Sequence, residues 1–325
     1  MRRRHLLLTA AATLAPTAGR AAATTWTLPT GYKADSFQGQ NVARFARMVE
    51  AGTGGSLRIE VQPDNQGVPL AQIAAAVRAG RVQAGEVIMT GLAQDIPIAG
   101  ADAVPFVVAS YEDAQRLWQH QRPLVERHFE ARGLKPLFAV PWPPQGLYTI
   151  RPVRSADDLR GTRMRTYNAT TVRIAQLLGA EPVDVPMSKV GQALAEGRID
   201  TMITSAVTGV ENKVWSAFKF FYEINAWFPK NLTFANAAAY AALSDAQRQA
   251  VLQSASAAET AGWAASRVAA TESAQELRRN GLRTEPAPPL LQPVIRRLGE
   301  RFSLEWLHSV GREANEVFVP FYAAR

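Results

Sequence analysis

Residues 158–168 read Asp-Leu-Arg-Gly-Thr-Arg-Met-Arg-Thr-Tyr-Asn, and Arg165 is the residue there whose type and place best suit chemistry. Met164 and Tyr167 favour an extended strand, Asn168 is a good helix N-cap, and residues 169–178 are helix-competent until Gly179 stops them. The pattern sets Arg165 just ahead of a helix N-terminus. A guanidinium is a rigid fork of donors that matches a carboxylate, and the helix end adds partial positive charge and free N–H groups. The chemistry on offer is anion capture. Taken alone, the arginine suits a structural ion pair at a strand edge better, because isolated arginines are mostly surface residues. Arg160, Arg163 and Arg173 nearby read as solvated.

Catalytic machinery is sparse. There are four histidines, of which His120, His128 and His308 are scattered through polar helical stretches, and there is no H-E-x-x-H, no G-x-S-x-G and no phosphate-cradling glycine loop. The adjacent acids Asp157 and Asp158 are the obvious carboxylate pair, but neighbouring residues point apart and suit shared acid–base work poorly. No cysteine is present, which excludes disulfides and thiolate chemistry. The residues give no ground to expect a cofactor or a metal.

The elements that must position Arg165 read as α/β. Residues 26–32 give a strand and a turn, 37–51 an amphipathic helix with Val42, Phe45, Ala46 and Val49 on one face, and 57–61 a half-buried strand. Strand, helix, strand begins a largely parallel sheet. A weak internal echo follows. Residues 76–83 lead into a strand near Thr90, as 193–200 lead into one near Thr204, each through a glycine stop. Any α/β chain repeats such units, yet the echo puts Thr90 and Thr204 at corresponding strand ends, where open sheets bind ligands. Pro141, Pro143 and Pro144 around Trp142 mark a hinge, because proline fixes φ and withholds a ladder donor. Ser244 caps a helix to about Arg279 that is long enough to cross two lobes. The last stretch, 291–322, is helical in pattern.

The chain opens with Arg2-Arg3-Arg4, an apolar run from His5 to Ala15 and then Ala21-Ala22-Ala23. This is the layout of an export signal over residues 1–23, read equally by a Sec or a twin-arginine route. No later run approaches the roughly 18 to 20 apolar residues of a membrane helix, so the product is expected in the periplasm and not embedded in the membrane. Four arginines lie in the signal, so its removal lowers the formal charge from +8 to +4. No basic run with interleaved aromatics suggests nucleic acid.

Several segments together resemble the solute receptors of tripartite ATP-independent periplasmic (TRAP) transporters, the DctP family. They are Val104-Pro-Phe-Val-Val-Ala-Ser-Tyr-Glu-Asp-Ala114, Asp158-Leu-Arg-Gly with Met164-Arg165, Leu178-Gly-Ala-Glu-Pro182, Val185-Pro-Met-Ser-Lys-Val190, Ala193 to Asp200, and Lys213 to Phe221. They occur in family order over most of the mature chain. The resemblance implies a type II-like periplasmic binding fold: two α/β lobes, a hinge, and a long lobe-spanning helix. The expected division is lobe I over 24–142, lobe II over 143–230, a return to lobe I and the start of the spanning helix over 231–270, and a return to lobe II over 271–325.

It also implies a ligand held between the lobes, its carboxylate clamped by Arg165. The family's proline two residues on is Tyr167 here. A second basic residue used by some members falls on Gln145, and the familiar asparagine position falls on Thr204. Tyr167, Asn168, Gln145 and Thr204 are expected around the anion, with Thr90, Phe106 and Trp142 completing the wall. One cation with neutral partners favours one carboxylate over two, since a second would be left unpaired. The implied role is to capture an organic acid, most simply a monocarboxylate, and present it to the membrane subunits of a TRAP transporter. A receptor for an ABC transporter or a sensor kinase, and a periplasmic hydrolase working through carboxylates, are the competing readings.

Overall fold

The computed structural model describes residues 23–323; the expected signal segment, Ala23 apart, lies outside the described residues. Lobe I starts with β1 (Thr24–Pro29), α1 (Phe37–Gly52) and β2 (Leu57–Gln62), and β1 and β2 pair in parallel. Ser36 caps α1 by accepting from Gly39 N, and the buried face carries Val42, Phe45, Ala46 and Val49 as the spacing predicts. α2 (Ile73–Arg78), β3 (Ala84–Ile88), α3 (Tyr111–Glu130) and β4 (Leu134–Pro141) follow. A bridge from Thr30 to Glu86 ties the β1 pair to β3.

Lobe II is built from β5 (Gln145–Thr149), β6 (Arg163–Thr166), α4 (Ala169–Leu177), β7 (Glu181–Asp184), α5 (Val190–Ala195), β8 (Thr201–Ser205), α6 (Ala206–Glu211) and β9 (Phe220–Glu223). The chain then returns to lobe I as β10 (Lys230–Asn236), which lies antiparallel between β3 and β4. After α7 (Ala237–Ala241) comes α8 (Asp245–Arg279), and β11 (Arg283–Pro286) closes a six-stranded sheet of order β11-β9-β5-β8-β6-β7.

The two lobes are joined by short segments laid side by side. Residues 142–144 and 224–229 run together, with Trp142 N donating to Pro229 O at 2.7 Å, Gln145 N to Trp227 O at 3.1 Å and Ala226 N to Gln145 O at 2.8 Å. The third connection is α8, unbroken over 35 residues and so about 50 Å long. Ser244 opens it with a capping box to Gln247. It rests on α1 and β4 at one end and on α6 and β11 at the other. Gly262 permits the crossing, because a Cβ there would stand 2.4 Å from Val140 Cγ2 and 2.9 Å from Asn41 Nδ2.

The C-terminal segment departs from expectation. Residues 271–286 do reach lobe II through the end of α8 and β11, but α9 (Gln292–Val310) and α10 (Arg312–Ala323) pack on lobe I. The reason is the apolar face of α10, where Ala314, Val317, Phe318 and Phe321 recur at helical spacing and are buried against α3. A left-handed Gly311 (φ 74°) separates the two helices, which sequence periodicity alone runs together.

Candidate functional site

Strand alternation in lobe II decides which side chains meet. Arg165 on β6 is in register with Met202 on β8, and Tyr148 on β5 pairs with the same Met202. Met202 and Tyr148 lie in one apolar cluster, whereas Met164, Ile203 and Leu147 lie in another on the opposite face. Arg165 and Thr204 therefore share a face, with Thr204 nearer the C-terminal end of β8. Gln145 does not share it. Its strand neighbour Gly146 pairs with Thr204, while Gln145 itself pairs with Ser205 on the other face and donates its amide to Pro143 O at 2.7 Å. Its structural role is to tie β5 to the hinge.

Arg165 is 3% exposed, and its Nε donates to Val185 O at 2.9 Å. The guanidinium carbon stands 4.6 Å from the centre of the half-buried Tyr167 ring. Among the described residues no carboxylate forms an ion pair with it, and its two terminal nitrogens have no protein acceptor. By contrast Arg163, the first residue of β6, is clamped by Asp200 through Nε at 2.8 Å and Nη2 at 2.6 Å. Burial lowers the Arg165 pKa to about 10, against weaker opposing pulls from Tyr167 and Asp184. A buried cation with uncommitted donors is a strong attractor for an anion.

Thr204 is 4% exposed, and its hydroxyl has no hydrogen-bond partner among the described residues. Asn168 caps α4: its Oδ1 accepts from Thr171 N at 2.9 Å, and Thr171 Oγ1 accepts from Asn168 N at 3.2 Å and Tyr167 N at 3.0 Å. Its amide oxygen is thus occupied in shaping the turn beside Arg165. Thr90 lies past the end of β3, in a short 3-10 turn over Met89–Leu92, and is half-buried. Phe106 adopts a left-handed backbone (φ 62°), donates its N–H to Ala226 O at 2.6 Å, and lines a groove of about 650 Å³ with Ile224, Ile295 and Gly299. That groove belongs to α9 and does not include Arg165.

Trp142 sits at the junction of the lobes, 4% exposed, edge-on to Tyr32 at 5.2 Å and to Phe37 at 5.4 Å. It packs with Tyr32 and Val207, and Ile88 and Met187 close in from the two lobes. Tyr32, Met187 and Val207 were not singled out from the sequence. The place of Tyr32 just beyond the C-terminal end of β1 was the available signal. The adjacent acids 157 and 158 are separated in role: Asp158 accepts from Arg154 N and Ser155 N, while Asp157 pairs with Arg160.

Two carboxyls near the junction are held unusually protonated. Glu86 and Glu211 are both pushed up to about 7, first by burial, which the Thr30 and Asn231 hydrogen bonds to Glu86 and the Lys33 charge near Glu211 oppose. From about 4.5, the ordinary value, to about 7 the folded chain binds more protons than the unfolded one, so stability falls as pH rises through that window. Melting curves across that range should show a declining midpoint, and Glu86→Gln should flatten part of the decline. An unchanged slope in the variant would remove Glu86 from the account.

The family "Bacterial extracellular solute-binding protein, family 7", DctP, matches residues 30–300. The chain belongs to the DctP family. Members of this family are solute-binding proteins, not enzymes, and the two-lobed α/β architecture expected from the resemblance is borne out. The crystal structure of DctP7, a Bordetella pertussis extracytoplasmic solute receptor binding pyroglutamic acid, superposes with a TM-score of 0.90 at 35% identity, over 92% of this chain and 100% of that one. A marine metagenome TRAP solute-binding protein specific for pyroglutamate gives 0.89 at 33% identity, over 93% and 99%. A solute-binding protein of Albidiferax ferrireducens is 23% identical over 179 residues, so this DctP chain spans about half the length of that curated relative (52%) and matches with 54% of its own.

Proposed function

We propose that this DctP-family chain is a periplasmic receptor that captures a small cyclic monocarboxylic acid, with pyroglutamate as the leading candidate, and delivers it to a TRAP-type transporter. The observation that carries the reading is Arg165, a buried guanidinium with uncommitted donors on the face that also holds the free Thr204 hydroxyl. Arg165 anchors the carboxylate, Thr204 orients it, Tyr167 stacks beneath the guanidinium, and Trp142 forms part of the wall where the lobes meet. Gln145 is neutral and faces away, so no second cation awaits a second carboxylate. Two receptors at 35% and 33% identity that bind pyroglutamate support the ligand class. Among the described residues no helix is long and apolar enough to cross a membrane.

A thermal-shift screen of the mature protein tests this reading with L-pyroglutamate, glutamate, succinate, a sugar acid and a neutral sugar. Because a ligand bound only by the folded state stabilises it by about 2.7 kcal/mol at a hundred times Kd, pyroglutamate is expected to raise the melting temperature by several degrees. Stabilisation by succinate or a neutral sugar, without any by pyroglutamate, would count against it.

A further inference from the structure

The lobe I side of the junction carries a hydrogen-bond chain whose donor directions are forced. The Trp142 indole Nε1 can only donate, so the Asn231 atom 2.8 Å from it is the amide oxygen. The same oxygen lies 3.1 Å from the Tyr32 hydroxyl, which must therefore donate as well. The Asn231 amide nitrogen is left to face Glu86 Oε1 at 3.0 Å, and Thr30 Oγ1 donates to Glu86 Oε2 at 2.5 Å. All five residues are at most 4% exposed, so none can swing out to exchange its partner for bulk water. With its single proton committed to Asn231, the Tyr32 oxygen retains acceptor capacity alone.

This oxygen is held where the lobes meet. Tyr32 packs with Trp142 from the hinge and Val207 from lobe II, with Met187 alongside. Burial, then Glu86, and more weakly the Glu211 carboxyl and the Tyr167 phenol, which lies against the Arg165 guanidinium, push the Tyr32 hydroxyl pKa up, so the hydroxyl stays protonated.

We propose that Tyr32 is a specificity-determining residue: a fixed hydrogen-bond acceptor that reads an N–H group on the ring of the bound acid. The receptor then selects a lactam acid over the lactone acid of the same shape. This rests on the reading of Arg165 as the carboxylate anchor. In a lactam acid the ring N–H adjoins the carbon that bears the carboxylate, so one small molecule spans the cation of lobe II and the acceptor of lobe I. In the lactone acid a ring oxygen takes that place and sets lone pair against lone pair. A buried acceptor left unpaired is what a polar site discriminates against most strongly.

Titration calorimetry on ligand-free mature protein tests the idea with L-pyroglutamate and 5-oxotetrahydrofuran-2-carboxylate, its ring-oxygen analogue. The wild type is expected to prefer the lactam by about tenfold or more. Tyr32→Phe is expected to bring the two acids to within about threefold, by weakening the lactam and relieving the repulsion on the lactone. Equal affinities in the wild type, or a preference that survives intact in Tyr32→Phe, would overturn the assignment. The wild-type comparison can fail without any variant, so a misfolded Tyr32→Phe does not shield the proposal. If neither acid binds the wild type, the carboxylate reading itself has failed, which is a separate result.

Discussion

Arg165→Met is expected to weaken carboxylate binding by about 10² to 10⁴-fold while leaving the ligand-free protein at least as stable as the wild type. Charge-assisted hydrogen bonds contribute roughly 1.5 to 3 kcal/mol each, two terminal nitrogens are uncommitted, and about 1.4 kcal/mol is a factor of ten. The second half of the prediction separates a binding arginine from a structural one. Arg165 is 3% exposed, with one backbone acceptor and no ion pair among the described residues, so its charge is an uncompensated burden on the fold. Burial lowers its pKa to about 10. The charged form is therefore disfavoured by on the order of 3 kcal/mol at neutral pH, a cost relieved only as pH climbs above about 10 toward the ordinary arginine range. Methionine fills similar volume without charge. Calorimetry for affinity and thermal melting without ligand check the two halves. A large loss of ligand-free stability would instead mark Arg165 as part of the scaffold.

Lys230→Met is expected to cost about 3 to 5 kcal/mol of folding stability, the penalty for stripping one partner from a buried ion pair. Lys230 and Asp102 are both 0% exposed in their side chains, with Nζ 3.4 Å from Oδ2 and the Lys230 backbone N–H 2.8 Å from the same oxygen. The ammonium also faces the Trp118 ring at 5.7 Å. Burial raises Asp102 and lowers Lys230, and the charge of each partner is the main influence opposing that shift in the other. Lys230 opens β10 directly after the second hinge segment, so this pair fixes where the returning chain enters lobe I. The double variant Lys230→Met with Asp102→Asn should recover part of the loss, since no charge is left alone. Denaturant unfolding of both variants decides it. Equal losses in the two would show that the pair is not coupled.

What the sequence disclosed follows from how local each signal is. The strand, Arg165 and the Asn168 cap lie within a few residues of one another, and the structure reproduces them as β6 and a capped α4. Ser244, read as a cap, likewise announces α8, and Pro143 and Pro144 lie in the first hinge segment while Pro141 ends β4. The misplacements all depend on long-range register. Gln145 adjoins the hinge in sequence, but its face was set by an antiparallel pairing of β5 with β8 some sixty residues later. Phe106 sits in a family-like segment, yet its left-handed backbone turns it toward α9. The C-terminal helices are expected in lobe II by the family's order of segments, whereas the apolar face of α10 finds its partner on α3. The chain from Thr30 through Asn231 to Trp142 joins residues up to 199 positions apart, for which no local pattern exists.

The most direct test of the central claim is a crystal structure of the mature protein with L-pyroglutamate bound. The account predicts the carboxylate oxygens about 2.7 to 2.9 Å from the terminal nitrogens of Arg165, with the Thr204 hydroxyl on the same group and the ring between the lobes near Trp142. A ligand seated elsewhere, for example in the groove between Phe106 and α9, with Arg165 still unengaged, would contradict it.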